Sequence, residues 1–170
     1  YKKKINSIFH FGEFSRIVPS FKYYDDCLNF NVNGTRHVLK FCVQNNIRII
    51  YSASSSIFGN YGLDQNLSPY SWSKAKNIEL IKNFSKWFGL KYEIAYFYNV
   101  YGKNQIGSGK MASVIGIFEN QYKSNKVLTV VKPGNQKRDF THISDIVRGV
   151  YLIWKKGKQM EYLLKYHKSY

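Results

Sequence analysis

Three side chains in this sequence could do proton chemistry together: Ser54, Tyr70 and Lys74. Tyr70 and Lys74 are four residues apart. If that stretch is helical they lie on one face, with the ammonium beside the phenol. A free phenol has a pKa of about 10 and is a poor base at neutral pH, but a neighbouring cation favours the phenolate. Ser54 lies in the hydroxyl cluster Ser52-Ala-Ser-Ser-Ser56 and could hydrogen-bond both a substrate hydroxyl and the phenol. Such a trio could draw the proton from a carbinol while hydride leaves its carbon. No side chain accepts hydride, so the acceptor must be a cofactor.

The elements around the trio read as alternating strands and helices. Ile5 to Phe11 is an apolar run ending at Gly12, which predicts a strand buried on both faces, with Gly12 to Ser15 as the loop at its end. His10 is expected to be packed in that strand rather than to act as a ligand. From about Asn31 to Asn45, Val32, Thr35, Val38, Leu39, Cys42 and Val43 recur at helical spacing. Ile47 to Ser52 is a second strand, which delivers the serines. A helix then starts at Ser68, a good N-cap, with Pro69 at its first position, and stops at Gly89. Ile78, Ile81, Phe84 and Phe88 are its expected buried stripe. Tyr92 to Phe97 is a third strand, running into Asn99. Strand, helix, strand in this order is the form of a parallel βαβ unit, and ligands bind beyond the carboxyl ends of such strands. Gly12, Ser54 and Asn99 all fall at such ends.

Further along, a helix is expected from about Met111 to Tyr122 with Val114, Ile115, Ile117 and Phe118 inward, then a short strand at Leu128–Val131 and a last helix from about Ser144 to Trp154. Gly109-Lys110 is not a phosphate loop, because Asn104 stands where the upstream glycine is needed and Met111 where Ser or Thr is needed. The basic and aromatic tail, 155–170, carries no assignable pattern.

The 170 residues suffice for one domain with a core, and 44% are hydrophobic. There are 26 Lys and Arg against 10 Asp and Glu, a net charge of +16. The lysines are scattered and no nucleic-acid motif is present, so a solvated basic surface is the reading and no nucleic-acid partner is expected. No apolar run reaches the length of a membrane span. Two cysteines, Cys27 and Cys42, and four histidines lack metal or disulfide spacing, so no metal is expected and a reduced, cytoplasmic compartment suits the chain.

Six segments in order resemble the extended short-chain dehydrogenase/reductases, and more narrowly the NAD-dependent nucleotide-sugar epimerases and dehydratases such as UDP-glucose 4-epimerase. They are Ile8–Gly12, Asn31–Thr35, Ser54–Gly59, Pro69–Lys74, Tyr98–Gly102 and Arg138–Ile143. The resemblance implies an α/β fold: part of a Rossmann-like parallel sheet over residues 1–102, lacking the first βαβ units, then part of a small substrate-binding region over 103–154.

It implies Ser54, Tyr70 and Lys74 as catalytic residues. Phe11, Gly12, Glu13, Asn31, Tyr70, Lys74 and Tyr98 would lie along NAD, and Ser54, Asn99 and Arg138 would contact a nucleotide-diphosphate sugar. The reaction implied is epimerisation at C4 through a keto sugar, with reductase, decarboxylase or dehydratase chemistry, or a non-catalytic truncated product, as alternatives. The family often dimerises, so a homodimer is expected of a full-length form.

Four departures stand out. Gly12-Glu13 replaces the usual Ala-Ala, and a carboxylate beside a nicotinamide is unexpected. Ser55-Ser56 follow Ser54 where dehydratases carry Asp-Glu, which disfavours 4,6-dehydration. Tyr96 stands where an arginine is common. The family's opening Gly-x-x-Gly-x-x-Gly turn is absent from these residues, so the chain is expected to be an N-terminally truncated fragment, inactive alone and exposing apolar surface.

Overall fold

The computed structural model describes residues 4–58, 66–135 and 137–165. Gly59, the end of one motif above, lies outside them. Four parallel strands form the main sheet, in the order β1 (Ser7–His10), β2 (Arg48–Ser54), β3 (Tyr92–Phe97) and β6 (Glu161–Leu164). Between β1 and β2 run three helices, α1 (Ile17–Lys22), α2 (Tyr24–Leu28) and α3 (Gly34–Gln44), with a π-helical turn at Asn29–Asn33. Next, α4 (Pro69–Phe88) joins β2 to β3. A two-stranded parallel pair, β4 (Val100–Tyr101) and β5 (Thr141–His142), flanks α5 (Val114–Lys123), and α6 (Ile143–Lys156) leads into β6.

Both faces are covered over β2 and β3, which is why those strands read as apolar runs; β1, expected to be buried on both faces, is an edge strand and leaves Phe9 45% exposed. Along β2 the side chains alternate between two cores. Ile49, Tyr51 and Ala53 pack with Leu39 and Cys42 of α3 and Ile78 and Ile81 of α4. Ile50 packs on the other side with Ala95 and with Ile146, Val150 and Ile153 of α6.

Helix α4 forms as the sequence predicts. The Ser68 hydroxyl accepts from Ser71 N at 3.1 Å. At the other end Gly89 takes φ 69°, a left-handed conformation that glycine adopts at little cost, and Leu90 N reaches back to Phe84 O at 3.5 Å. The apolar stripe, however, covers only the middle of the helix. Ile78 and Ile81 are buried, whereas Phe88 is 57% exposed. Its ring lies past the sheet and packs edge-on against Phe84 and Trp87. The N-terminal half instead buries Tyr70, Lys74 and Asn77, so a polar stripe at the same spacing continues the apolar one.

Three further differences have physical causes. Helices α1 and α2 lack a buried apolar stripe: Val18 and Phe21 are exposed, so periodicity does not reveal them. Residues 128–131 are not assigned to a strand, and Val130 is 67% exposed, so their β-branched side chains find no core to pack on. Conversely, the tail that the sequence leaves unassigned supplies β6, whose Glu161–Leu164 pairs with Ile94–Phe97. Helix α5 starts at Val114, later than expected. Val114 is exposed while Ile115, Ile117 and Phe118 are half-buried. The preceding loop lies against it where Gly116 meets Ile106, since a Cβ at Gly116 would sit 2.5 Å from Ile106 O.

These burial assignments are checked by urea unfolding. Ile81→Ala removes a fully buried side chain and is expected to cost about 2–5 kcal/mol. Val130→Ala should change stability by no more than about 0.5 kcal/mol.

Candidate active site

The carboxyl ends of β1, β2 and β3 bring the site together. Ser54 is the last residue of β2, and Tyr70 lies in the first turn of α4. The Tyr70 backbone N–H donates to Ser20 Oγ at 3.3 Å, which fastens this turn to α1. The Tyr70 side chain is buried, and the Ser54 hydroxyl is close enough to hydrogen-bond the phenol and favour its ionised form. One turn on, Lys74 is also buried and donates to Ser52 O at 2.6 Å and to the Glu13 carboxylate. The three predicted catalytic residues therefore occupy one neighbourhood.

The electrostatics differ from the expectation. Lys74 is predicted to lower the Tyr70 pKa, yet the phenol is raised above its ordinary value. Burial is the main cause, and the Glu13 charge adds to it. What pulls the phenol back down is the Ser54 hydroxyl and the positive charge of Arg16. Lys74 itself is pushed below its ordinary value by burial, against the opposing pull of Glu13. The ammonium is thus committed to an internal anion rather than to the phenol alone.

Glu13 is the least expected member. Its main chain borders a groove of about 750 Å³, lined also by His10, Gly12, Phe14, Phe30 and Asn33. Its carboxylate turns inward, with the side chain only 1% exposed. There it accepts hydrogen bonds from Thr35 Oγ1 at 3.0 Å, Tyr51 Oη at 3.0 Å and Asn77 Nδ2 at 2.8 Å. His10 completes the chain through Thr35, with Nε2 2.9 Å from Oγ1, so it is a satisfied strand residue as expected.

Asn31, expected along the cofactor, is fully buried, and its amide is taken up by Phe14 N at 2.7 Å, Phe14 O at 3.1 Å and Ser73 Oγ at 2.9 Å. It pins the loop after β1 to α4. Phe11 and Gly12 are exposed on that loop, and Gly12 has open space where a Cβ would be.

On the other side of Tyr70, Tyr98 is half-buried and stacks on Phe58 with ring centroids 6.4 Å apart. Asn99 holds φ 29°, and its amide donates to Asp139 O at 2.9 Å. It lines a second cavity of about 310 Å³ with Arg16, Tyr101, Ser113 and Phe140. Arg138 is exposed nearby in sequence and donates to Lys137 O at 2.8 Å.

Sequence reasoning missed Arg16, whose guanidinium donates to Met111 O at 3.0 and 2.5 Å and so ties the loop after β1 to the loop before α5. A cation three residues past Glu13 was the available signal. Thr35, Tyr51 and Asn77 were missed because nothing local marks a residue as a partner of a distant carboxylate. Among the described residues, no group of His, Cys, Asp and Glu is placed to hold a metal ion, and no helix is long and apolar enough to cross a membrane.

The NAD dependent epimerase/dehydratase family model matches residues 1–164. The chain is 35% identical over 139 residues to a putative UDP-glucose 4-epimerase of Methanocaldococcus jannaschii, covering 75% of this chain and 45% of that protein. It is 30% identical over 173 aligned positions to an ADP-L-glycero-D-manno-heptose-6-epimerase of Fusobacterium nucleatum, covering 88% of this chain and 50% of that one. It thus spans about half the length of these curated relatives. Among solved structures, a UDP-N-acetylglucosamine 4-epimerase from Methanobrevibacter ruminantium superposes with a TM-score of 0.88 at 24% identity, over 97% of this chain and 56% of that one. A UDP-glucuronic acid 4-epimerase from Bacillus cereus, in complex with UDP-glucuronic acid and NAD, gives 0.86 at 23% identity, over 96% and 55%. These two likenesses establish the Rossmann-like fold. With nearly its whole length matched by the family model, the chain belongs to the NAD-dependent epimerase/dehydratase family.

Proposed function

We propose that this chain carries the proton-transfer half of a nucleotide-sugar epimerase site, acting at C4 of the sugar. The observation that supports this best is the meeting of Ser54, Tyr70 and Lys74 where β2 ends and α4 begins, with Lys74 bonded to Glu13 of the loop after β1. In this reading Tyr70 takes the proton of the sugar hydroxyl, with Ser54 hydrogen-bonded to both. With a bound hydride acceptor the carbinol would be oxidised to a ketone, and Tyr70 would give its proton back to the oxygen when hydride is restored on the opposite face, so that the centre is inverted with no net oxidation.

NAD, when bound, supplies the hydride acceptor and the cationic ring that would help ionise the buried phenol. The residues present suit that partner. The groove runs past Gly12, where no Cβ intrudes. Lys74 has three N–H bonds, with Glu13 and Ser52 O as its hydrogen-bond partners, so one remains for a ribose hydroxyl. Phe11, Gly12 and Tyr98 would border the cofactor, while Asn99 and Arg138 would hold the substrate. A guanidinium fork at Arg138 suits a diphosphate. Residues 1–102 would thus carry proton transfer and 103–154 substrate contacts. A cytoplasmic location and a homodimer go with this reading.

Other reactions of the family use the same three residues, and relatives include a 4,6-dehydratase of Dictyostelium discoideum, 26% identical. Ser55-Ser56 in place of an acidic pair weighs against dehydration here. Product analysis across UDP- and GDP-sugars separates epimerase from reductase and decarboxylase.

Two measurements test the proposal. In a protein that joins these residues to a glycine-rich nucleotide-binding unit, Tyr70→Phe is expected to lower turnover about a hundredfold to ten-thousandfold without loss of fold. Turnover that is unchanged rules out Tyr70 as the base. The 170 residues contain no Gly-x-x-Gly-x-x-Gly turn, so calorimetry on this chain by itself should find no micromolar NAD binding.

A further inference from the structure

The epimerase reaction described above has no use for Glu13, yet the structure invests heavily in it. One carboxylate oxygen receives hydrogen bonds from three elements: Thr35 of α3, Tyr51 of β2 and Asn77 of α4. The other receives the Lys74 ammonium. The two side chains are 1% and 5% exposed. Both oxygens of this carboxylate thus accept from donors the fold supplies. A buried ammonium tends to shed its proton unless an anion faces it.

The other titratable groups around the pair do not compete for that role. His10 on β1 is held toward its neutral form by burial. Cys27 on α2, Tyr51 on β2 and Tyr70 on α4 are likewise kept protonated, chiefly by burial. Arg16, on the loop after β1, is a second cation and favours ionisation of Tyr70. Glu13 is therefore the anion that faces Lys74.

We propose that Glu13 is a positioning residue of this site: its carboxylate is the internal counter-ion that keeps Lys74 charged and pinned against the Ser52 carbonyl. Its bearing on catalysis rests on the epimerase reading, in which Lys74 holds the cofactor; the ion pair itself does not. Glu13 acts through Lys74 and touches no reacting atom.

The test follows the Lys74 side chain by NMR in the 170-residue chain labelled with ¹³C at lysine Cε, the resonance being assigned by its loss in Lys74→Arg. Glu13→Gln keeps the size and removes the charge. It is expected to weaken the proton affinity of Lys74 about tenfold or more, moving its titration at least about one pH unit lower. Glu13→Asp, which restores the charge, should move it back toward the native value. A Lys74 titration unmoved in folded Glu13→Gln overturns the proposal. If Glu13→Gln does not fold, the double variant Glu13→Gln/Lys74→Met decides. Removing both charges should give a higher Tm than either single variant, and a double variant no more stable than the weaker single one also overturns it. None of these readouts needs NAD or turnover. Turnover unchanged by Tyr70→Phe would sink the reaction and leave the counter-ion standing, and the reverse outcome is equally distinguishable.

Discussion

The arrangement of this protein depends on one buried ion pair. Glu13 and Lys74 lie 61 residues apart in sequence and meet where the loop after β1, the end of β2, α3 and α4 converge. Each charge alone would be expensive in that place. A lone buried charge costs several kcal/mol, and removing one partner of such a pair typically destabilises by about 3–5 kcal/mol. Because the donors on Glu13 come from three elements, α3, β2 and α4, the carboxylate also fixes how those elements sit relative to one another. Asn31 extends the same logic by holding both backbone groups of Phe14, so the loop that borders the groove cannot drift from the helix that carries Tyr70.

That polar centre explains the division of labour along α4. Its C-terminal half is held by apolar contact, with Ile78 and Ile81 set into the core. Its N-terminal half buries Tyr70, Lys74 and Asn77, groups that need partners rather than neighbours. The helix is anchored by one half and carries the candidate site in the other. Burial also raises the phenol of Tyr70 and lowers the ammonium of Lys74, the latter against the opposing pull of Glu13.

The elements that sequence reasoning located are those whose signals are local. Ser68, Pro69 and Gly89 mark the ends of α4 within a few residues, and β2 and β3 are short apolar runs with turn residues on both sides. The elements it missed lack such signals. Helices α1 and α2 expose much of their apolar surface, and β6 is four residues that become a strand only because the edge of β3 is free to pair. Residues 128–131 failed in the opposite direction, with strand-forming residues that stay largely exposed and take no strand assignment.

What the sequence by itself determined is the order of β1, α3, β2, α4 and β3, the resemblance to the family, and three candidate residues that would meet at one site, because spacing along one helix and position at a strand end are set by the local chain. It could identify Glu13 as anomalous but could not say what the carboxylate does. Only the tertiary structure decided that it turns away from the groove and onto Lys74, and that the buried Asn31 amide braces the loop after β1. The reason is physical: a charge is neutralised by whatever the fold brings within a few ångströms. For Glu13 those groups come from residues 35, 51, 74 and 77, positions that no local pattern connects.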